Sequence, residues 1–121
     1  MRILKVGLMA SLAGGLLGAL IAVPAQAGDP EAGQQPFQQL CATCHGATGK
    51  GDGPASAALN PKPRDMSDSE WQAEVDDDYL RTVIRDGGRA VGLSQMMTPF
   101  GGALNEQQLE DVVAFIRTLD D

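Results

Sequence analysis

The chain has 121 residues, 16 acidic against nine basic, for a net charge of −7. This length suits one compact domain and excludes two of ordinary size. The acidic balance argues against nucleic acid and anionic membrane surfaces as partners, and favours proteins that present a basic docking face.

The first segment carries Arg2 and Lys5, an apolar run from Val6 to Val23, and the small-residue end Ala25-Gln26-Ala27 before Gly28. A basic end, a greasy middle and a small-x-small close predict a secretory signal peptide over 1–27, cleaved after Ala27. The competing reading is an uncleaved anchor, since the run is near the lower limit for crossing a bilayer. Gly7, Gly14, Gly15 and Gly18 interrupt the run and weaken that reading. The expected mature chain is then 28–121, a periplasmic monomer with no stable membrane anchor. Losing two basic residues takes its net charge to −9.

Three helices are predicted within 28–121, with no strand pattern of useful length. The first leads into the cysteines. Pro36 would interrupt a helix begun at Pro30, so the expected start is Gly33 or Gln34, where Pro36 falls in the first turn. A kinked helix from Pro30 is the alternative. The second starts within Asp76 to Asp78, whose carboxylates suit the positive end of the helix dipole, and stops at Gly87-Gly88. Its buried stripe is Leu80, Val83 and Ile84. The third begins at the cap residue Asn105, with Gln108 placed for the reciprocal bond and Leu104 and Leu109 as a hydrophobic staple. Leu109, Val112, Val113, Ile116 and Leu119 repeat on one face. Between these helices lie long loops, 46 to about 71 and 89–103, the first rich in Gly and Pro from Gly46 to Pro63. Loops of this length are out of place in a compact domain unless they wrap something.

Both cysteines fall in Cys41-Ala42-Thr43-Cys44-His45, which fits the C-x-x-C-H rule for haem c attachment. Two thiols that add across haem vinyl groups hold one edge of the ring, and the next residue's imidazole reaches the iron. A disulfide would close too small a loop to stabilise much. A thioredoxin-like pair lacks its βαβ setting, and a zinc site lacks ligands, because His45 is the only histidine. His45 is therefore a metal ligand candidate, and any second iron ligand must be something else. Met66, Met96 and Met97 are the methionines of the mature chain, and chemistry alone does not choose between the neighbours Met96 and Met97.

From about Gly33 to Leu119 the chain resembles the class I cytochromes c, small all-α proteins whose helices and long loops wrap one haem c. The matching residues are Gly33 and Phe37, the motif Cys41 to Gly46, Gly49-Lys50-Gly51-Asp52-Gly53-Pro54, and Met97-Thr98-Pro99-Phe100-Gly101 ahead of the last helix. Aligning Phe100-Gly101 with the family's Met-Pro-x-Phe-Gly loop implies Met97 as the sixth ligand. Thr98 stands where proline is common and Met96 duplicates the sulfur, which keeps Met96 as the alternative. The resemblance also implies that Gly33 and Phe37 cross the last helix near Phe115, with both aromatics buried. It implies that a proline carbonyl, here Pro54, accepts the His45 Nδ1 proton, although Pro54 is equally readable as a turn residue. Lys62, Arg64 and Trp71 are candidates for holding the haem propionates.

With His45 and Met97 both bound, the iron is closed to substrate, so the expectation is an electron carrier and not an enzyme. Two rivals stand: an electron-entry subunit of a larger oxidoreductase, and a haem-based gas sensor with a displaceable sixth ligand. No catalytic triad, carboxylate pair or phosphate loop supports other chemistry.

Overall fold

The structure, a computed structural model, describes residues 11, 14–20 and 27–121. Most of the expected leader, including Arg2, Lys5 and Ala25-Gln26, lies outside the described residues. Among those described, no helix is long and apolar enough to cross a membrane, and the secondary structure is helical with no strand.

Helix α1 spans Pro30–Leu40, so the start expected at Gly33 or Gln34 is corrected to the earlier alternative. Asp29 is the reason: its carboxylate accepts from the amides of Glu31 and Ala32, and Pro30 at the first helical position has no amide to satisfy. Pro36 forfeits one interior bond, yet the helix runs on to Leu40, because its inner face is clamped by packing. A break in direction at Cys41 leads into the short α2, Ala42–His45. His45 N bonds to Cys41 O at 2.9 Å, which fixes the motif as helical turns.

The loop predicted over 46–71 holds more structure than expected: a 3-10 turn at Ser56–Ala58 and helix α3, Ser69–Glu74. Asp68 caps α3 through the amides of Glu70 and Trp71. Helix α4, Asp77–Asp86, is capped by Asp76 and stopped by Gly87, as the sequence predicts. A 3-10 turn follows at Gly88–Val91. Helix α5, Glu106–Arg117, has the predicted capping box between Asn105 and Gln108.

The core forms where α1 crosses α5 and α4 leans on α5. Phe37, Leu80, Val112 and Ile116 are fully buried. A Cβ at Gly33 would overlap the Asp111 carbonyl, so glycine is what lets the two backbones touch. Phe37 and Phe115 meet there with ring centroids 4.9 Å apart. Phe115 is only half-buried, unlike Phe37, since it flanks the inward stripe of Leu109, Val112, Val113 and Ile116.

Polar contacts tie the remaining pieces to α5. Arg81 on α4 makes a two-pronged pair with Glu110 at 2.6 and 2.9 Å. Arg117 donates to Asp77, to both oxygens of Gln72 and to the Val75 carbonyl. Gln72 is itself buried and donates to the carbonyls of Met66 and Ile116.

Candidate functional site

A cavity of about 380 Å³ opens between the motif, α3, α4 and the two long loops. Its wall is largely apolar: Leu40, Leu80, Val83, Ile84, Phe100 and Ile116 contribute from α1, α4, α5 and the loop before α5. Cys41, Cys44 and His45 all line it, and so do Met97, Met96 and Met66. The cavity therefore gathers every sulfur of 28–121 and the only imidazole.

Cys41 and Cys44 are not joined to each other. Burial, reinforced by the neighbouring Cys44, pushes the Cys41 thiol up to about 12. His45 is buried, and that burial lowers its pKa, with the Arg64 backbone bond acting in the opposite sense. Its Nδ1 lies 3.2 Å from the Arg64 carbonyl. A carbonyl only accepts, so Nδ1 carries the proton and Nε2 keeps its lone pair for a metal.

The acceptor expected from the sequence, Pro54, is thereby replaced by Arg64. The reason is the course of the loop. The amides of Gly51, Gly53 and Ala55 bond to His45 O, Cys44 O and Thr43 O, so this stretch runs along the motif backbone. The chain then doubles back, with Met66 N on Gly49 O at 2.7 Å. Gly51, at φ 76, admits the Pro63 carbonyl where a side chain would stand. That close approach brings Arg64 O to the imidazole.

The two candidate sulfurs differ in setting. Met97 is half-buried, its carbonyl accepting from Gly88 N at 2.8 Å and its amide donating to Ser94 O at 3.2 Å. Phe100 N and Gly101 N bond to Ile84 O and Arg85 O, so the whole loop is hung from the end of α4. Met96 is 60% exposed, with its amide held by the Ser94 hydroxyl. Lys62, Arg64 and Trp71 all line the cavity. The Arg64 guanidinium sits 5.5 Å from the Trp71 ring and 3.4 Å from Asp68. Sequence reasoning missed Gln72 and Arg117, which hold α3 and its loop against α5; their partners lie more than forty residues away in the chain, beyond any local pattern.

Comparison with known proteins now decides the family. The model of the family described as cytochrome c matches residues 30–120. The chain belongs to the cytochrome c family. It is 29% identical over 89 residues to cytochrome c-554(548) of Halomonas halodenitrificans, covering 74% of this chain and 94% of that one. Among solved structures it is similar to the c-type cytochrome KustC0563, with 28% identity, a TM-score of 0.60, and coverage of 74% and 98%. It is also similar to a chain of the Kuenenia stuttgartiensis reducing HAO-like protein complex, with 25% identity and a TM-score of 0.60. That match covers 83% of this chain but 46% of that one.

Membership implies one covalently bound haem c, and Cys41 and Cys44 have the spacing that its attachment needs. The cavity fits such a group on its own chemistry: apolar walls, two uncombined sulfurs and a buried neutral imidazole.

Proposed function

We propose that this protein is an exported one-electron shuttle whose haem c is bonded to Cys41 and Cys44 and ligated by His45 and Met97. The observation that carries the reading is that these four side chains, drawn from the motif and from the loop before α5, line a single apolar cavity. Haem supplies the reversible change between ferrous and ferric iron, and the protein's part is to bind it, close it and keep water away.

His45 is oriented by the Arg64 carbonyl, which raises its basicity and fixes its ring. Burial and the two backbone bonds at Met97 favour it over Met96 as the thioether that closes the other side. Arg64 and Trp71 are placed to hold the acidic side groups of the haem, while Lys62 is exposed at the cavity mouth. With His45 and Met97 both holding the haem, the group would offer no open position to a substrate, which supports a carrier and not an enzyme.

The carrier reading is preferred to a fixed subunit of a larger oxidoreductase because the large apolar side chains exposed within 28–121 are Leu93 and Met96 alone. A permanent subunit interface needs far more apolar surface. The basic end, apolar run and Ala25-Gln26-Ala27 close of 1–27 support export to the periplasm. The total charge favours a partner with a basic face at long range, whereas the residues at the cavity mouth set the charge a docked partner meets.

Carbon monoxide tests the closed site. The reduced protein is expected to keep its visible spectrum under the gas at neutral pH. Prompt formation of a carbonyl adduct would overturn the closed carrier and move the reading to gas binding.

A further inference from the structure

Among the described residues Asp111 is the one carboxylate that is buried, 8% exposed at the α1–α5 crossing. Its Oδ1 accepts from the Asp29 amide at 2.8 Å and from the Gln107 side-chain amide at 2.9 Å, both neutral donors, and its Oδ2 accepts from no described residue. No described lysine, arginine or histidine lies within ion-pair distance of it. A carboxylate so deeply buried is ordinarily paired with a cation, as Glu110 beside it is with Arg81. The backbone that reaches Asp111 is the segment just ahead of α1. Gly28 lies against the Glu110 carbonyl and Gly33 against the Asp111 carbonyl, each so close that a Cβ would overlap that oxygen. Gly28 is therefore seated on α5, while Ala27 before it is exposed. Covalent geometry then places the Gly28 nitrogen within about 4 Å of the Asp29 amide that Asp111 holds, and so within about 7 Å of the carboxylate.

We infer that the ammonium group freed at Gly28 when the leader is removed is the counter-ion of Asp111, so that processing itself completes the α1–α5 crossing. The inference rests on the export reading, in which cleavage follows Ala27. Before cleavage the Gly28 nitrogen is a neutral amide. Hydrolysis of the Ala27–Gly28 bond by water leaves a carboxylate on Ala27, which departs with the leader, and an amine on Gly28 that is mostly protonated at neutral pH. At about 7 Å that charge lies inside the screening length, about 8 Å at physiological salt. A remnant of three residues would carry it up to about 10 Å further away, where screening removes it. Ala27 is exposed and Gly28 is seated with the chain continuing before it, so the seating needs no cleavage and the charge alone is what cleavage adds. Glycine is required at this terminus, because any side chain would lift it off the Glu110 carbonyl. The remaining charges of this corner are Asp29 and Glu31 on α1 and Arg81 on α4, the last already met by Glu110 and Asp78. The positive end of the α1 dipole opposes the ammonium, and the Asp29 carboxylate that caps it offsets that opposition.

Denaturant titration of the haem-loaded protein at low salt, just below neutral pH, tests this on two chains, one beginning at Gly28 and one keeping the uncharged Ala25-Gln26-Ala27 ahead of it. The folding equilibrium constant of the first is expected to be about fivefold the larger. In an Asp111→Asn background, which keeps an acceptor for Asp29 and Gln107, the two chains should agree within about twofold. With Asp111 in place they should also converge in about 1 M salt, where the screening length falls to about 3 Å. Equal stability of the two chains at low salt, or a gain that survives both Asp111→Asn and high salt, overturns the inference and leaves processing intact. Amino-terminal sequencing of the protein recovered from exporting cells tests the export reading separately. Gly28 as first residue supports it, and a retained leader or a different first residue overturns it and the inference together.

Discussion

The α1–α5 crossing and the cavity loops are held by different means. At the crossing, Gly33 lies against the Asp111 carbonyl, Phe37 and Val112 are fully buried, and Asp111 accepts from the Asp29 amide at 2.8 Å. Side chains of this protein complete that contact by themselves. Around the cavity the chain is held mainly backbone to backbone, as in Gly51 to His45 and Gly88 to Met97, and its apolar side chains face a space of about 380 Å³. The first region is a framework finished by protein; the second is a lining finished by haem.

Removing haem should expose that difference most strongly. At ~24 cal/mol per Å³, a void of this size costs up to about 9 kcal/mol, comparable with the ~5–15 kcal/mol that holds a small domain together. The haem-free Cys41→Ser/Cys44→Ser chain is expected to be largely unfolded by circular dichroism, with residual helix in α5; a cooperative, native-like melt would break the comparison. Gly33→Val attacks the framework instead. It should lower stability by about 3 kcal/mol or more, read by denaturant titration of the haem-loaded protein, because the clash is with backbone that cannot swing away. Arg117→Met comes next, at about 2 kcal/mol, since it leaves the Gln72 and Val75 carbonyls short of donors. That loss should loosen α3 more than α1, seen as faster amide exchange at Val75, whose N–H bonds to Trp71 O.

The smallest effect expected is electrostatic. Hydrogen bonds from the Ser67 hydroxyl and amide hold Asp65 below the usual carboxylate range. A depressed folded pKa contributes stability that is present above the unfolded value of 3.8 and is lost as pH falls through the folded one. Ser67→Ala should therefore cost a few tenths of a kcal/mol at neutral pH, a deficit that shrinks on acidification below the unfolded value. An equal deficit at every pH would assign Ser67 a packing role only.

What the sequence made legible follows the same division. Helix α5 was written in local signals, and its cap, its reciprocal glutamine and the stripe from Leu109 to Ile116 are present, while Leu119, expected to extend that stripe, lies beyond the helix end at Arg117. The bounds of α4 followed from its acidic start and Gly87. Proline 36 misled because local propensity competes with packing, and the Gly33 contact that outweighs it lies in a helix far along the chain. Helix α3 was missed because six residues leave no room for a periodic stripe; Asp68 was its one readable sign. The motif announced haem, but the carbonyl that orients His45 comes from the return of a loop, and nothing at Arg64 advertises it.

The central claim is that Met97, and not its neighbour, closes the haem opposite His45. It is tested most directly by near-infrared absorption of the ferric protein, where thioether ligation gives a weak charge-transfer band in similar cytochromes. The account predicts that the band is present in the unaltered protein and in Met96→Ala, and absent in Met97→Ala. A band that survives in Met97→Ala and disappears in Met96→Ala would contradict it.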